Sequence, residues 1–393
     1  MLVKKGSSFY FVVIPGLVAV LGSLGFTRFG YSMILPGMKD SLMLSYTEMG
    51  LMASGNFCAY MISAVIAGLL ASRYEARVVV SVSLATVGVS MLLTGFVQTY
   101  SQALILISLA GVGSGGANVP AMMLPAVWLP AKRRGLASGL IASGSSIGLI
   151  ITGFLVPRLS DIFGGEGWRY SWLILGAITL IFALFCSVAI RKSKVTSTDN
   201  HAGTLGWRVI SKESLLWKIG LTYSMFGFSY IVYVTFFGSY LVKEVGLAAQ
   251  SAGALWALVG VISLASGPLW GHVSDRIGRH YALTLVYFIQ SLSFFLFTQR
   301  GGETLYMSAI LFGVTAWSIP SIVAAYSGDH FGPKSSFSVL GFLTLFFGIG
   351  QASGSSVAGY LADLTKTFAS SFFLCSFAAI IGGFLSLRVL RRH

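Results

Sequence analysis

Charged residues are scarce in this chain of 393 residues: Asp, Glu, Lys and Arg make up only 10% of it, whereas 55% is hydrophobic. A soluble protein of this length needs a large polar surface, and so few charges cannot cover one. The composition therefore excludes a soluble enzyme, a secreted scaffold and a disordered regulator. The mean hydropathy of +0.82 instead indicates that lipid surrounds most of the chain.

Cysteines are equally few, and none of them belongs to a recognisable motif. Cys58, Cys186 and Cys375 lie in three separate apolar runs, with a spacing that is typical neither of metal sites nor of redox sites. We predict no metal and no cofactor. The sequence also lacks a nucleophile–base pair of the kind that catalysis requires, so we predict that the chain is not an enzyme.

Long runs without any charged residue recur along the whole chain, and most have the length of one membrane-spanning helix. They cover residues 6–27, 49–72, 78–131, 135–157, 170–190, 219–242, 245–274, 280–299, 304–328, 335–362 and 367–387. The run 78–131 is about twice that length, and the polar patch from Gln98 to Gln102 divides it. Because backbone polar groups in lipid must be satisfied within the segment, we predict an all-α membrane protein with twelve transmembrane helices, called spans 1 to 12 here.

The basic residues fall mainly on one side of this predicted arrangement. With the N-terminus in the cytoplasm, 19 of the 26 Lys and Arg residues lie on the cytoplasmic side, six on the outer side, and Arg28 within span 1. The positive-inside rule therefore predicts that both termini are cytoplasmic. The net charge of +14 faces anionic lipid headgroups, and no nucleic-acid partner is expected.

The chain divides into two similar halves. A polar stretch at 191–218 is the predicted cytoplasmic linker between an N-terminal six-helix bundle, 1–190, and a C-terminal bundle, 219–393. Glycine-rich segments recur at an offset of about 202 residues, as in Gly25 and Gly227 or Gly111 and Gly313. Duplicated halves with a site near the bilayer midplane are typical of transporters.

The turn between spans 8 and 9 carries the most specific local pattern. Its residues 271–279 match G-x-x-x-D-R-x-G-R, and the corresponding turn of the first half keeps a glycine and two arginines but has Ser72 and Glu75 at two key positions. Glycine permits a tight turn and an aspartate accepts hydrogen bonds from arginines. This pattern resembles the major facilitator superfamily, and the resemblance implies two pseudo-symmetric six-helix bundles and a gating role for Gly271, Asp275, Arg276, Gly278, Arg279, Gly68, Arg73 and Arg77.

Span 5 opens with a run of small residues that resembles the monocarboxylate-porter branch of that superfamily. Gly139, Ser143, Gly144 and Gly148 recur at a spacing that allows close contact with another helix. Such packing is the simpler reading of this run, and the branch resemblance implies a monocarboxylate as substrate.

Arg28 is the basic residue that lies well inside a predicted span. A charge at the centre of a membrane helix costs roughly 2.5–3.5 kcal/mol, so we expect Arg28 to face an aqueous cavity or a partner. Tyr31 and Ser32 share its helix face. Arg28 could reach the outer headgroups or pack between helices, but we favour binding of an anion, because a planar carboxylate suits the guanidinium fork.

Other polar and aromatic residues in the spans, Tyr60 among them, are individually more typical of packing or interhelical hydrogen bonds. Those ranked highest as substrate contacts lie in spans 4, 7 and 10, which the superfamily resemblance implies to be central. They are Asn118, Tyr230, Tyr233 and Trp317.

We therefore predict a secondary active or facilitative transporter of a small organic anion that works by alternating access. The alternatives are a proton-coupled exporter of drugs or amphipathic metabolites and a membrane sensor that does not transport. All acids fall in turns or near span ends, so no proton site is expected within the membrane, although a co-transported proton stays open. The expected partners are the anionic substrate and the lipid bilayer; we expect a monomer in a prokaryotic inner membrane.

Overall fold

The computed structural model of the protein describes residues 7–191 and 212–390. Within these ranges, the side chains at 7–8, 68–69, 71–73, 131, 332–338 and 389–390 fall outside the description. Most of the predicted linker, together with Lys4 and Lys5, also lies outside the described residues.

The described chain is built from long helices. The first part contains α1 (Ser7–Val20), a π-helical segment (Leu21–Phe29), α2 (Gly30–Ser41), α3 (Tyr46–Arg73), α4 (Ala76–Thr94), α5 (Tyr100–Trp128), α6 (Ala131–Phe163), a 3₁₀ turn (Gly164–Glu166) and α7 (Gly167–Ala189). The second part contains α8 (Ser214–Ser239), a π-helical segment (Tyr240–Glu244), α9 (Ala249–Ile277), α10 (Arg279–Phe297), α11 (Gly302–Thr315), α12 (Ser318–Thr365) and α13 (Ala369–Leu390).

Eleven helical runs of the described chain are long and apolar enough to cross a membrane. The longest of them, Lys132–Ala189, has 58 residues and contains both α6 and α7. The prediction of an all-α, multi-pass membrane protein is confirmed at this level. The number twelve and the side of each terminus stay predictions.

Local sequence explains where several of these helices begin. Ser45 and Glu48 form a reciprocal capping box at the start of α3, with Ser45 Oγ accepting from the Glu48 amide and the Glu48 carboxylate accepting from the Ser45 amide. The Thr99 hydroxyl accepts from the Gln102 amide at the start of α5. Such caps satisfy amides that have no partner within the helix.

The chain forms two compact units, and each unit contains two separate stretches of the sequence. Unit 1 comprises Met1–Thr196 and Phe237–Gly260, and unit 2 comprises Ser197–Phe236 and Val261–His393. The boundaries 1–190, 191–218 and 219–393 stay predictions.

Within unit 1, α6 and the first part of α9 touch backbone to backbone. A Cβ atom on Gly253 would lie 2.0 Å from the carbonyl oxygen of Gly153, a separation that only glycine permits. The Asp161 carboxylate also accepts a hydrogen bond from Gln250, and Asp40 forms an ion pair with Lys243. These contacts explain why residues 237–260 belong to unit 1.

Candidate functional site

Arg28 lies in an irregular stretch of its helical run. Residues Leu21–Phe29 form a π-helix, a wider turn in which the amide of Gly30 bonds to the carbonyl of Gly25, five residues back. We call this stretch the wide turn. Wide turns of this kind occur often at functional sites. The Arg28 side chain is half-buried, whereas Thr27 and Phe29 beside it are buried.

Two aromatic rings of α3 contact the Arg28 guanidinium. Its central carbon lies 4.7 Å from the centre of the Phe57 ring and 4.8 Å from that of Tyr60. The two rings are three residues apart and therefore share one face of α3. Such cation–π contacts contribute about 0.5–2 kcal/mol each, which offsets part of the cost of holding a charge away from water.

Asn118 completes this group from α5. Its side-chain amide donates to the Tyr60 hydroxyl oxygen at 2.8 Å. A tyrosine hydroxyl can accept one bond and still donate its own proton, so Tyr60 keeps a donor for a ligand oxygen. We call Arg28, Phe57, Tyr60 and Asn118 the Arg28 cluster; all four belong to unit 1.

The hydroxyls of Tyr31 and Ser32 have protein partners. Tyr31 donates to the backbone carbonyl of Met49 at 2.9 Å, and Ser32 Oγ accepts from the backbone amide of Gly238 at 3.4 Å. Both side chains are buried. Their role as substrate contacts stays a prediction.

The three predicted contacts of unit 2 lie in one aromatic region. The Tyr230 ring centre is 5.9 Å from that of Trp317 and 6.0 Å from that of Phe312. Tyr233 stacks on Phe312 at 4.2 Å, and its hydroxyl shares a 2.9 Å hydrogen bond with Ser308. Tyr230 and Tyr233 are buried and Trp317 is half-buried, so this region is mainly apolar.

Trp317 marks a break between α11 and α12. Side chains from other helices satisfy backbone groups at this break. Ser266 Oγ accepts from the Trp317 amide at 3.1 Å, Trp270 Nε1 donates to the Val314 carbonyl at 3.0 Å, and Gln290 Nε2 donates to the Thr315 carbonyl at 3.2 Å. Within α12, Ser318 Oγ also donates to the Thr315 carbonyl at 2.6 Å. Non-helical backbone at membrane depth is tolerated where such partners exist.

The turn between α9 and α10 contains an ion pair of Asp275, the aspartate of the sequence pattern in this turn. Arg279 lies 2.5 Å from Asp275 and 3.0 Å from Asp329, and it also donates to Ser274 Oγ at 2.6 Å. Gly278 has a φ of +92°, which other residues adopt only with strain. Arg279 is therefore an arginine partner of Asp275 in this turn.

Among the remaining predicted gating residues, the structure describes the surroundings of Gly271, Arg276 and Arg77. Gly271 would tolerate a side chain, because nothing lies within 4 Å of a Cβ there, and Arg276 is exposed. In the first half, Arg77 pairs with Glu75 at 3.5 Å. Gly68 and Arg73 belong to α3, but their surroundings lie outside the description.

Phe57 was not predicted from the sequence, and Tyr60 was predicted with lower rank than Asn118. Phe57 is 4% exposed, and nothing in its spacing distinguishes it from the other apolar residues of α3. A possible signal was the pair of aromatic residues three positions apart in a span beside one that carries an arginine. In the described ranges, no three or more His, Cys, Asp and Glu side chains group as metal ligands.

Comparisons with known proteins give consistent results. Residues 20–387 match the model of a family described as "Uncharacterised MFS-type transporter YbfB". The chain is 25% identical over 395 residues to the probable sulfoacetate transporter of Cupriavidus necator, covering 92% of this chain and 89% of that protein. It is 27% identical over 405 residues to the hexuronate transporter of Bacillus subtilis, covering 93% and 90%. Among solved structures, a bacterial homologue of the human lysosomal transporter Spinster superposes with a TM-score of 0.82 at 15% identity, covering 99% and 98% of the two chains.

Proposed function

Because the chain belongs to the family described as "Uncharacterised MFS-type transporter YbfB", we propose that it carries a small organic anion across the membrane by alternating access. The family and the relatives are transporters, which confirms the resemblance to the major facilitator superfamily and the prediction that the chain is not an enzyme. What we propose beyond this is the class of substrate, a small organic anion, and the mechanism of alternating access.

The Arg28 cluster is the observation that carries this proposal. It holds a permanent positive charge within an apolar helical run, and because such a charge is costly, it usually marks a functional site. Next to that charge lie neutral hydrogen-bonding groups on Tyr60 and Asn118. A cation with neighbouring donors can neutralise and orient a carboxylate or a sulfonate.

The finer proposal is a monocarboxylate. One guanidinium balances one negative charge, and the other groups of the Arg28 cluster are uncharged. The two bacterial relatives are named for organic anions, which supports the wider class but not this choice within it.

The proposed substrate contacts are Arg28 and Asn118, with Tyr60 added by the geometry. Tyr31, Ser32, Tyr230, Tyr233 and Trp317 remain part of the proposal, but the first four are buried, and the hydroxyls of Tyr31, Ser32 and Tyr233 bond to protein atoms. Each of these three hydroxyls would have to give up its present hydrogen bond before it could bind substrate. The bacterial relatives support the proposal of a prokaryotic inner membrane as the location.

A ligand-stabilisation screen on the detergent-purified protein tests the proposed class of substrate. A ligand that binds the folded state raises the melting temperature. At a concentration of 100 times its Kd, it adds about 2.7 kcal/mol to the free energy of unfolding. Monocarboxylates, dicarboxylates and sulfonates are compared with amines and hydrophobic cations at equal ionic strength, with sodium chloride as the control.

We expect monocarboxylates to give the largest shifts and sulfonates or dicarboxylates smaller ones. Stabilisation by hydrophobic cations alone would contradict the anion proposal and favour an exporter of drugs. Counterflow of the best anion in proteoliposomes then tests transport. Binding without counterflow would favour the sensor.

A further inference from the structure

The wide turn that carries Arg28 rests directly on two glycines of α6. A Cβ atom on Gly148 would lie 2.2 Å from the Cα of Gly25, and one on Gly144 would lie 2.6 Å from the carbonyl oxygen of Leu17 and 2.9 Å from the amide nitrogen of Leu21. Non-bonded carbon atoms attract best at about 3.5–4.0 Å, so neither position has room for a larger residue. The backbones of the two helices are in contact at this point.

A serine of α5 holds the same turn from another side. Ser114 Oγ lies 2.6 Å from the carbonyl oxygen of Ser23 and 2.8 Å from that of Ala110 in its own helix. Ser114 is 2% exposed and therefore has little access to water. The hydroxyl has one proton to donate, and when it donates to the nearer acceptor, the Ser23 carbonyl, it links the wide turn to α5.

The position of Arg28 depends on the shape of this turn. Successive residues of an α-helix are rotated by about 100° around its axis, and a π-helical stretch shifts that rotation for the residues that follow. If the wide turn relaxed to a regular α-helix, the Arg28 guanidinium would turn away from the Phe57 and Tyr60 rings.

We propose that Gly144, Gly148 and Ser114 are positioning residues, which fix the wide turn and thereby aim Arg28 at the substrate anion. The proposal rests on the proposed function, because it assigns these residues a role through Arg28. It also explains two glycines, Gly144 and Gly148, of the small-residue run in α6 that predicted close contact with another helix.

That run contains its own control. Gly139 lies nine residues before Gly148 in the same helix, yet nothing lies within 4 Å of a Cβ built on it. An alanine at Gly139 should therefore leave the wide turn unchanged, whereas an alanine at Gly148 must displace Gly25. Both substitutions add one methyl group and raise the helix propensity of α6, so they differ mainly in this contact.

The test measures the affinity of the purified protein for acetate and for the best anion of the stabilisation screen. We expect Gly148→Ala to weaken binding at least about tenfold, because a displacement of about 1 Å at a binding group has effects of this order or larger. Ser114→Ala should weaken it by a smaller factor, and Gly139→Ala should bind like the unmodified protein.

A double-mutant cycle separates positioning from a general loss of packing. If Ser114 acts through the guanidinium of Arg28, Ser114→Ala should have little further effect in an Arg28→Lys background, whereas independent effects would add. Because the cycle does not use Gly148→Ala, it tests the positioning role even when that variant does not fold.

Two results would overturn the proposal: normal binding by folded Gly148→Ala protein, or full additivity of Ser114→Ala and Arg28→Lys. Failure of the proposed function looks different. In that case Arg28→Ala itself would still bind the anion, whatever the positioning variants do.

Discussion

The wide turn of unit 1 and the break at Trp317 of unit 2 both interrupt a run of helix, and they are stabilised by different means. In unit 1, the wide turn packs against glycine backbones and carries a charged residue between two aromatic rings. In unit 2, the break at Trp317 carries no charge, and side chains of Ser266, Trp270 and Gln290 satisfy its backbone groups.

This difference indicates two roles for irregular helix geometry in one membrane protein. The wide turn leaves the donors of the Arg28 cluster close to each other and half-buried, which is what a binding site requires. At the break of unit 2, backbone amide and carbonyl groups form hydrogen bonds with side chains of the protein. In our proposal, unit 1 supplies the charge that binds the substrate, whereas the break of unit 2 is a structural feature surrounded by aromatic rings.

The largest effect expected from this comparison is that of Arg28→Ala on anion binding. Truncation of one partner of a desolvated charge pair costs about 2–5 kcal/mol, so affinity should fall by about 30-fold or more. The melting temperature of the empty protein should change little, because lost cation–π contacts and relief from desolvation oppose each other. Thermal unfolding with and without the anion measures both quantities.

Arg169 provides the matched control for that substitution. Its guanidinium lies 4.2 Å from the centre of the Trp168 ring but also pairs with Glu166 at 2.7 Å. Arg169→Ala should preserve the anion-induced shift. If Arg28→Ala and Arg169→Ala both lost the anion-induced shift in melting temperature, anion binding would not be specific to Arg28.

The second prediction concerns the break in unit 2. Trp270→Phe removes the donor to the Val314 carbonyl, and an unsatisfied buried polar group costs about 1–3 kcal/mol. We expect lower thermal stability with unchanged anion affinity. Trp256→Phe is the control, since Trp256 is fully buried and its Nε1 has no hydrogen-bond partner in the described part of the chain. An equal loss of stability in both variants would mean that ring volume matters and the hydrogen bond does not.

The smallest effect should come from the charges at the turn of unit 2. Asp275 is 60% exposed in its pair with Arg279, and Arg279 keeps Asp329 and Ser274 when Asp275 is neutralised. Exposed pairs contribute at most about 1 kcal/mol, so Asp275→Asn should slow transport up to about fivefold and leave the Kd of the anion unchanged.

Initial rates of counterflow and equilibrium binding separate these two quantities for Asp275→Asn. Glu75→Gln, at the corresponding turn of the first half, should have less effect, because the ion pair of Glu75 with Arg77 is longer at 3.5 Å. A variant of Asp275 with normal turnover and much weaker binding would contradict the assignment to gating.

The sequence predicted the elements that depend on composition and on local spacing. Runs without charge located the helices, Arg28 stood out because it is a charge within such a run, and the turn pattern placed Asp275 within reach of Arg279. The close contact of the small residues in α6 was correct for Gly144 and Gly148 but not for Gly139.

Features that depend on helix rotation and on distant partners could not be predicted. The wide turn requires one residue more than a regular turn, and no residue type marks it. The contacts of Phe57 with Arg28 and of Gln290 with the Thr315 carbonyl join residues that are far apart in sequence. They follow from packing, which a single sequence does not reveal.

The most direct test of the central claim is a structure of the protein with an anion that contains a heavy atom, such as bromoacetate. The account predicts anomalous density beside the Arg28 cluster, with a carboxylate oxygen about 2.7–2.9 Å from an Arg28 nitrogen and within reach of the Tyr60 hydroxyl. An ordered anion bound at another cation, with Arg28 still against the Phe57 and Tyr60 rings, would contradict it.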